Sequence, residues 1–294
     1  MLYDRTTLLI AAGIGLLLVP IAILTGSFGA TFVAGALADS VAFVGTAKMR
    51  GHRLAGAKTS RDAQTDRANL LATLQLGVLV TMMETLALRD RRQARHAAAV
   101  ARYSRAIARK MECDEADQEF AHLAGLLHDI GKFTLPDRVL HADVLSNEDL
   151  VLLRQHPQVG ASLVGRLPGY GPIADAILYH HENVDGSGYP AGLIGREIPK
   201  LARIVAVASS YDHLLVAEDK HRNAPAEAIA TLKRMAGRQL DVETVELFVT
   251  SLEEEGMDSE AAVFARRSDS ETDPYSELDS ELNRLLATAS TLGG

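Results

Sequence analysis

The sequence predicts an all-α protein: a helical bundle preceded by a transmembrane helical hairpin and a connecting helix. Three observations carry this. From Thr6 to Ala47 the only charged residue is Asp39, whereas the rest of the chain is rich in charge. Beyond it, apolar residues recur at three- and four-residue steps, the period of a helix with one buried face. Valine- and isoleucine-rich runs such as Ile204–Ala208 continue that period and lack hairpin turns.

The uncharged stretch supplies two runs, 7–24 and 28–47, split by Thr25-Gly26-Ser27. Each approaches the roughly 20 apolar residues that span a bilayer, so residues 1–47 are expected to form a membrane anchor. Lys48, Arg50, Arg53, Lys58 and Arg61 crowd the exit of the second run. Basic flanks stay inside, which places the remainder of the chain on the cytoplasmic face of the membrane. A cleaved signal peptide ending near Ala36-Leu37-Ala38 is disfavoured, because the apolar stretch before it is too long. A single tilted span with a re-entrant segment is a second alternative, since Asp39 at mid-membrane costs about 2.5–3.5 kcal/mol, and a buried soluble hairpin is a third.

Residues 48–89 are read as a basic juxtamembrane segment and connector helix. Leu70, Leu71, Leu74, Val78, Met82 and Leu86 form its stripe, broken by Thr81 and Thr85. A parallel homodimer through this helix is expected, the alternative being that it covers the domain after it. That domain is assigned to residues 90–255, and the acidic, serine-rich residues 256–294 to a flexible tail with a short helix near Glu277–Ala289. The net charge of −8 argues against DNA or RNA as partner, since binding phosphate chains needs a basic face. The lone Cys113 cannot form an intramolecular disulfide and is read as a buried helix residue.

The chemistry lies among the ten histidines. His128-Asp129 stands at a helix end, followed by Gly131, which lets the chain turn away. The pair offers an imidazole and a carboxylate to one cation, and the carboxylate has a second oxygen for another ion about 3.5–4 Å away. Lys132, about a turn on, is placed to steady a phosphate. His180-His181 ends the apolar helix Ile173–Tyr179, His96 opens a helix and His156 precedes Pro157. Imidazole with carboxylate suits iron, manganese or zinc. His52, His122 and His141 match no pattern and are read as surface or structural residues.

The run Leu126-Leu127-His128-Asp129-Ile130-Gly131-Lys132, with Leu135-Pro136-Asp137 after it, resembles the first motif of the HD-GYP family. That family is the subgroup of HD phosphohydrolases that hydrolyse cyclic di-GMP. His180-His181-Glu182-Asn183-Val184-Asp185-Gly186-Ser187-Gly188-Tyr189-Pro190 resembles the second motif, and the likeness runs from about Glu84 to Phe248. The resemblance implies an HD-domain bundle holding two divalent metal ions, Fe or Mn, on His96, His128, Asp129, His156, His180 and His181. Asp129 and Lys132 would carry the catalysis. The loop of Asp185, Gly186, Gly188, Tyr189 and Pro190 would lie beside the site and meet substrate or a partner signalling domain.

The chain departs from that pattern at Ser209, where the family carries an aspartate ligand, and at Leu215-Val216-Ala217-Glu218, which replaces a Thr/Ser-rich stretch. Lys220, His221 and Arg222 remain as positive charge nearby. Arg92 stands where some members have a glutamate, which argues against a third metal. His213 replaces a usual alanine and shares a helical face with Ser209, a candidate substitute ligand. Three readings stay open: a working cyclic di-GMP phosphodiesterase, a degenerate module that binds nucleotide or partners, or a phosphohydrolase of another nucleotide.

Overall fold

The computed structural model describes residues 60–142, 144–215, 225–255, 278 and 280–282. The two expected spans and His52 lie outside them, as does the stretch with Lys220, His221 and Arg222. Among the described residues no helix is long and apolar enough to cross a membrane. The chain divides into Met1–Arg67 and Ala68–Gly294, and the second unit holds the helical bundle with both histidine motifs.

Ten α-helices are described: α1 (Ser60–Arg89), α2 (Arg91–Lys110), α3 (Glu115–Leu127), α4 (Asp137–Leu140), α5 (Asn147–Leu153), α6 (His156–Val164), α7 (Gly171–Tyr179), α8 (Lys200–Leu215), α9 (Pro225–Met235) and α10 (Val242–Glu255). Short 3-10 turns cover Ile130–Thr134 and Gly195–Glu197. The described residues hold only isolated β-bridges and no named strand. Helix starts are written in the sequence. Asp90 caps α2 by accepting from the Arg92 amide at 2.9 Å, and Asp114 caps α3 from the Asp117 amide at 2.8 Å. His96 therefore lies in the second turn of α2 rather than at its start.

Helix α8 is the axis of the unit, packed against α2, α3, α7, α9 and α10. Its Ile204, Val205, Val207, Ala208 and Tyr211 are fully enclosed. Helix α2 opposes it with Ala97–Ala101, Ala106 and Ala108, small side chains that let neighbouring backbones close in. Gly125 of α3 uses that space: a β-carbon there would stand 2.8 Å from the Val100 carbonyl oxygen and 2.9 Å from the Ala101 α-carbon. Tyr103, Tyr211 and Phe248 pack on one another in edge-to-face contacts, with centroids 5.1–5.6 Å apart.

Leu76, Leu79, Val80, Met83 and Ala87 of α1 are buried in the same core, so this helix covers the bundle. Leu74, Val78 and Leu88 remain exposed on it. At its end Arg89 bonds Asp137 and the carbonyls of Phe133 and Leu135 (2.6–3.0 Å), which clamps the turn that follows Lys132. Cys113 is buried in the connection between α2 and α3, not within a helix. Part of the tail packs as well. Leu278 and Leu282 join the core, and Glu281 lies 3.0 Å from buried His122, which gives that histidine a structural role. His141 is exposed.

Replacing Gly125 with alanine forces α2 and α3 apart. The expected cost is about 1–3 kcal/mol, the usual penalty of overpacking, read as a lower urea midpoint. An unchanged midpoint would show that the two helices separate freely.

Candidate metal centre

Five stretches of chain converge on the site: α2, the end of α3 with its 3-10 turn, the start of α6, the end of α7, and α8. Gly131 makes the convergence possible. The place of its absent β-carbon is taken by the carbonyl oxygen of His156. The glycine is needed for this close approach, which brings His156 beside Asp129, rather than for turning the chain away.

Two groups of donors result. His96, His128 and Asp129 form one; His156, His180 and His181 form the other; within each, the donor atoms lie within 4.8 Å of one another. Asp129 stands between them. Its Oδ2 is 3.4 Å from His128 Nε2 and 3.8 Å from His96 Nε2, while its Oδ1 is 3.1 Å from His156 Nε2. The His96 and His128 Nε2 atoms are 3.1 Å apart.

The imidazoles are oriented by a shared device. His128, His156 and His180 each donate Nδ1–H to a carbonyl one turn back, at Gly125 (2.8 Å), Leu153 (2.6 Å) and Ile177 (2.7 Å). Their Nε2 atoms are thereby left as acceptors facing inward, the tautomer a metal requires. The Nε2 atoms of His156 and His180 are buried with no hydrogen-bond partner; at 3.1 Å the His156 Nε2 and Asp129 Oδ1 face each other as two acceptors. Buried nitrogens left unpaired are costly, and this donor set fits a pair of divalent cations.

Burial, against the pull of Asp129, holds His128 well below the usual imidazole range. Burial and His156 bring His180 down to about 3, and burial and His180 lower His181. At Asp129 burial favours the neutral acid, but Lys132 and His128 outweigh it and keep the carboxyl well below its usual value. Neutral imidazoles and an ionised carboxylate are the forms that bind metal.

Lys132 places its Nζ 2.6 Å from Asp129 Oδ2, at the edge of the site. Ser209 is buried at the His96 side, its Oγ 3.5 Å from His96 Nε2. Arg92 is exposed. His213 is exposed too, outside the two close groups, although its ring centroid is 4.4 Å from that of His96. Desolvation of its ring, then His96 and Lys132, brings its pKa down to about 4.

The loop after His181 lies against the second group. Tyr189 stacks on His181 at 4.8 Å and 21°, and the Arg154 guanidinium sits 5.4 Å from the Tyr189 ring centre. Burial and then Asp129 push the Tyr189 hydroxyl up to about 12. Gly188 has no room for a β-carbon against the Glu182 and Asn183 backbone, and Gly186 has φ +81°. Asp185 accepts from the Ser187 amide and hydroxyl, so it shapes the loop rather than the metal groups. The Tyr189–Pro190 peptide is cis.

Two residues escape the sequence reading. Asp212 places Oδ2 2.6 Å from His96 Nδ1 in a buried contact, orienting that ring as the carbonyls orient the others. Its signal is a carboxylate about one turn past Ser209, on the same face. Buried Glu182 accepts from the amides of Ala191, Gly192 and Leu193 at 2.6–3.1 Å and fixes the loop.

The HD domain family model matches residues 80–244, more than half of the chain. The chain belongs to the HD domain family. Its two motifs place it in the HD-GYP group. It is 36% identical over 190 residues to a cyclic di-GMP phosphodiesterase of Thermotoga maritima, covering 63% of this chain and 50% of that relative. A cyclic di-GMP phosphodiesterase of Pseudomonas aeruginosa is 38% identical over 143 residues, 48% of this chain and 34% of the relative. A 3'3'-cGAMP-specific phosphodiesterase of Vibrio cholerae is 32% identical over 120 residues, 40% of this chain and 28% of the relative. The chain thus spans half or less of the length of these relatives.

An unfolded imidazole takes up its proton near pH 6.5; folded His180 does so only near 3. Acid therefore favours the unfolded state, so stability of the metal-free protein is whole above about pH 6.5 and drains as pH falls toward 3. Urea midpoints that stay level from about pH 7.5 to about 5 would refute this. The loop anchor is tested separately. Glu182→Ala strands three amides and is expected to cost about 1–3 kcal/mol, with amide exchange rising at Ala191–Leu193. Protection left intact would show that other contacts hold the loop.

Proposed function

We propose that this chain is a membrane-anchored, metal-dependent phosphodiesterase that opens cyclic di-GMP to the linear dinucleotide or GMP. The observation that carries the reading is Asp129, with one oxygen toward each histidine group. His96 and His128 would hold one ion, His156, His180 and His181 the other, and Asp129 both. Bound there, Fe or Mn supplies Lewis acidity and lowers the pKa of a water.

The chain's own groups do the rest. Asp212 and the three backbone carbonyls fix the imidazole rings, and Glu182 holds the loop whose Tyr189 walls the second group. Lys132 sets an ammonium at the edge of the site, where it can meet the negative charge of the phosphodiester. Cyclic di-GMP is favoured as substrate by the activities of the Thermotoga maritima and Pseudomonas aeruginosa relatives, and 3'3'-cGAMP is the neighbouring choice. The anchor rests on the uncharged runs 7–24 and 28–47, which also support an inner-membrane location with the catalytic domain facing the cytoplasm. A homodimer is supported by the exposed Leu74 and Val78 on one face of α1, and a signalling-domain partner by the partly exposed Asp185–Pro190 loop.

Ser209 favours a second reading, a site with reduced metal content that binds nucleotide without turnover. The test uses the full chain loaded with Mn²⁺ or Fe²⁺ and offered cyclic di-GMP and 3'3'-cGAMP. Hydrolysis that vanishes in a His128→Ala, Asp129→Ala double variant is the expected result. Tight nucleotide binding with no turnover, in protein that carries metal, would replace the enzyme by the binding module.

A further inference from the structure

Helix α8 carries three polar side chains toward the first donor group: Ser209, Asp212 and His213. Asp212 is already committed, its carboxylate 2.6 Å from His96 Nδ1 on the side of the ring away from the other donors. Ser209 is short and neutral. Its Oγ lies between two rings, 3.5 Å from His96 Nε2 and 3.4 Å from His213 Nδ1. A helical side chain covers the turn N-terminal to its own α-carbon, and His213 obeys this: its ring lies over residue 209, with its centroid 4.4 Å from that of His96. A longer side chain at 209 would fill the same region.

The ring is also set up as the ligand rings are. His213 Nδ1 donates to the Ser209 carbonyl at 2.8 Å, as His128, His156 and His180 donate to carbonyls in their own preceding turns. Nε2 is therefore the nitrogen left with a lone pair. His96, His128 and Asp129 are three donors, and a divalent ion takes at least four ligands. His213 stands outside their close grouping, and its exposed side chain can turn inward, a motion of picoseconds to nanoseconds.

We propose that His213 is the fourth protein ligand of the ion held by His96, His128 and Asp129, an imidazole replacing the carboxylate that Ser209 cannot offer. This rests on the reading of the site as a two-metal centre. It predicts that the residues at 209 and 213 are interchangeable in function: a ligand at either position suffices.

The experiment loads the full chain with Co²⁺ alone, counts metal per chain after gel filtration, and records the visible spectrum of the bound cobalt. The wild type is expected to hold two ions. His213→Ala and the size-conserving His213→Gln are each expected to hold one and to lose part of the visible absorption. His213→Ala with Ser209→Asp is expected to regain the second ion, a rescue that a merely structural His213 would not show. Two ions retained in both single variants overturn the proposal. So does a wild type holding one ion that His180→Ala removes and His213→Ala leaves in place, although the second donor group then stands. A wild type that binds no Co²⁺ removes the two-metal reading, and this proposal with it. Circular dichroism of each variant separates loss of an ion from loss of the fold.

Discussion

Asp129 divides its two carboxylate oxygens between two groups of imidazoles, and most of the surrounding architecture exists to let it do so. The carboxylate is buried, and a buried charge without partners is prohibitively unfavourable. Lys132 at 2.6 Å provides the compensation. That arrangement in turn demands close backbone approach at two places. Gly125 lets α2 and α3 meet, so that His96 reaches His128, and Gly131 accommodates the His156 carbonyl, so that α6 reaches Asp129. Clamping by Arg89 on the segment after Lys132 extends the same constraint outward to α1.

The histidines are legible because the sequence marks them twice. His128-Asp129 and His180-His181 are adjacent pairs at the ends of apolar helical runs, and a helix end is where a side chain leaves the core while staying near it. Bundle class and the course of α1 are carried by the three- and four-residue spacing. What spacing does not show is anything that depends on which backbones touch. Gly131 reads as a turn residue in one dimension and proves to be a contact residue in three. Asp212 is hidden for a related reason: its worth comes from His96, 116 residues away in the chain. Cys113 falls outside a helix because α2 ends at Lys110, before a turn in which Glu112 has φ +55°.

Around α8 the structure separates two jobs that a carboxylate can perform. Asp212 orients an imidazole, and its contact is intact. Ser209 faces the Nε2 side of the same ring, and there the chain has only a hydroxyl. A carboxylate at the first position with a hydroxyl at the second leaves the rings in register. The second histidine group is untouched by the change, since its partners come from α6, α7 and the loop fastened by Glu182.

The tethers from ring nitrogen to backbone carbonyl have a consequence for thermodynamics. A histidine free to rotate must surrender side-chain entropy when it is captured, about 0.5–1.5 kcal/mol for an immobilised side chain. His128, His156 and His180 surrender it during folding, because their Nδ1 hydrogen bonds lock them beforehand. Preorganisation of this kind converts folding stability into affinity for the ion, and it leaves the two properties coupled. A change that loosens the end of α3 or α7 weakens capture of a cation even when every donor atom is retained.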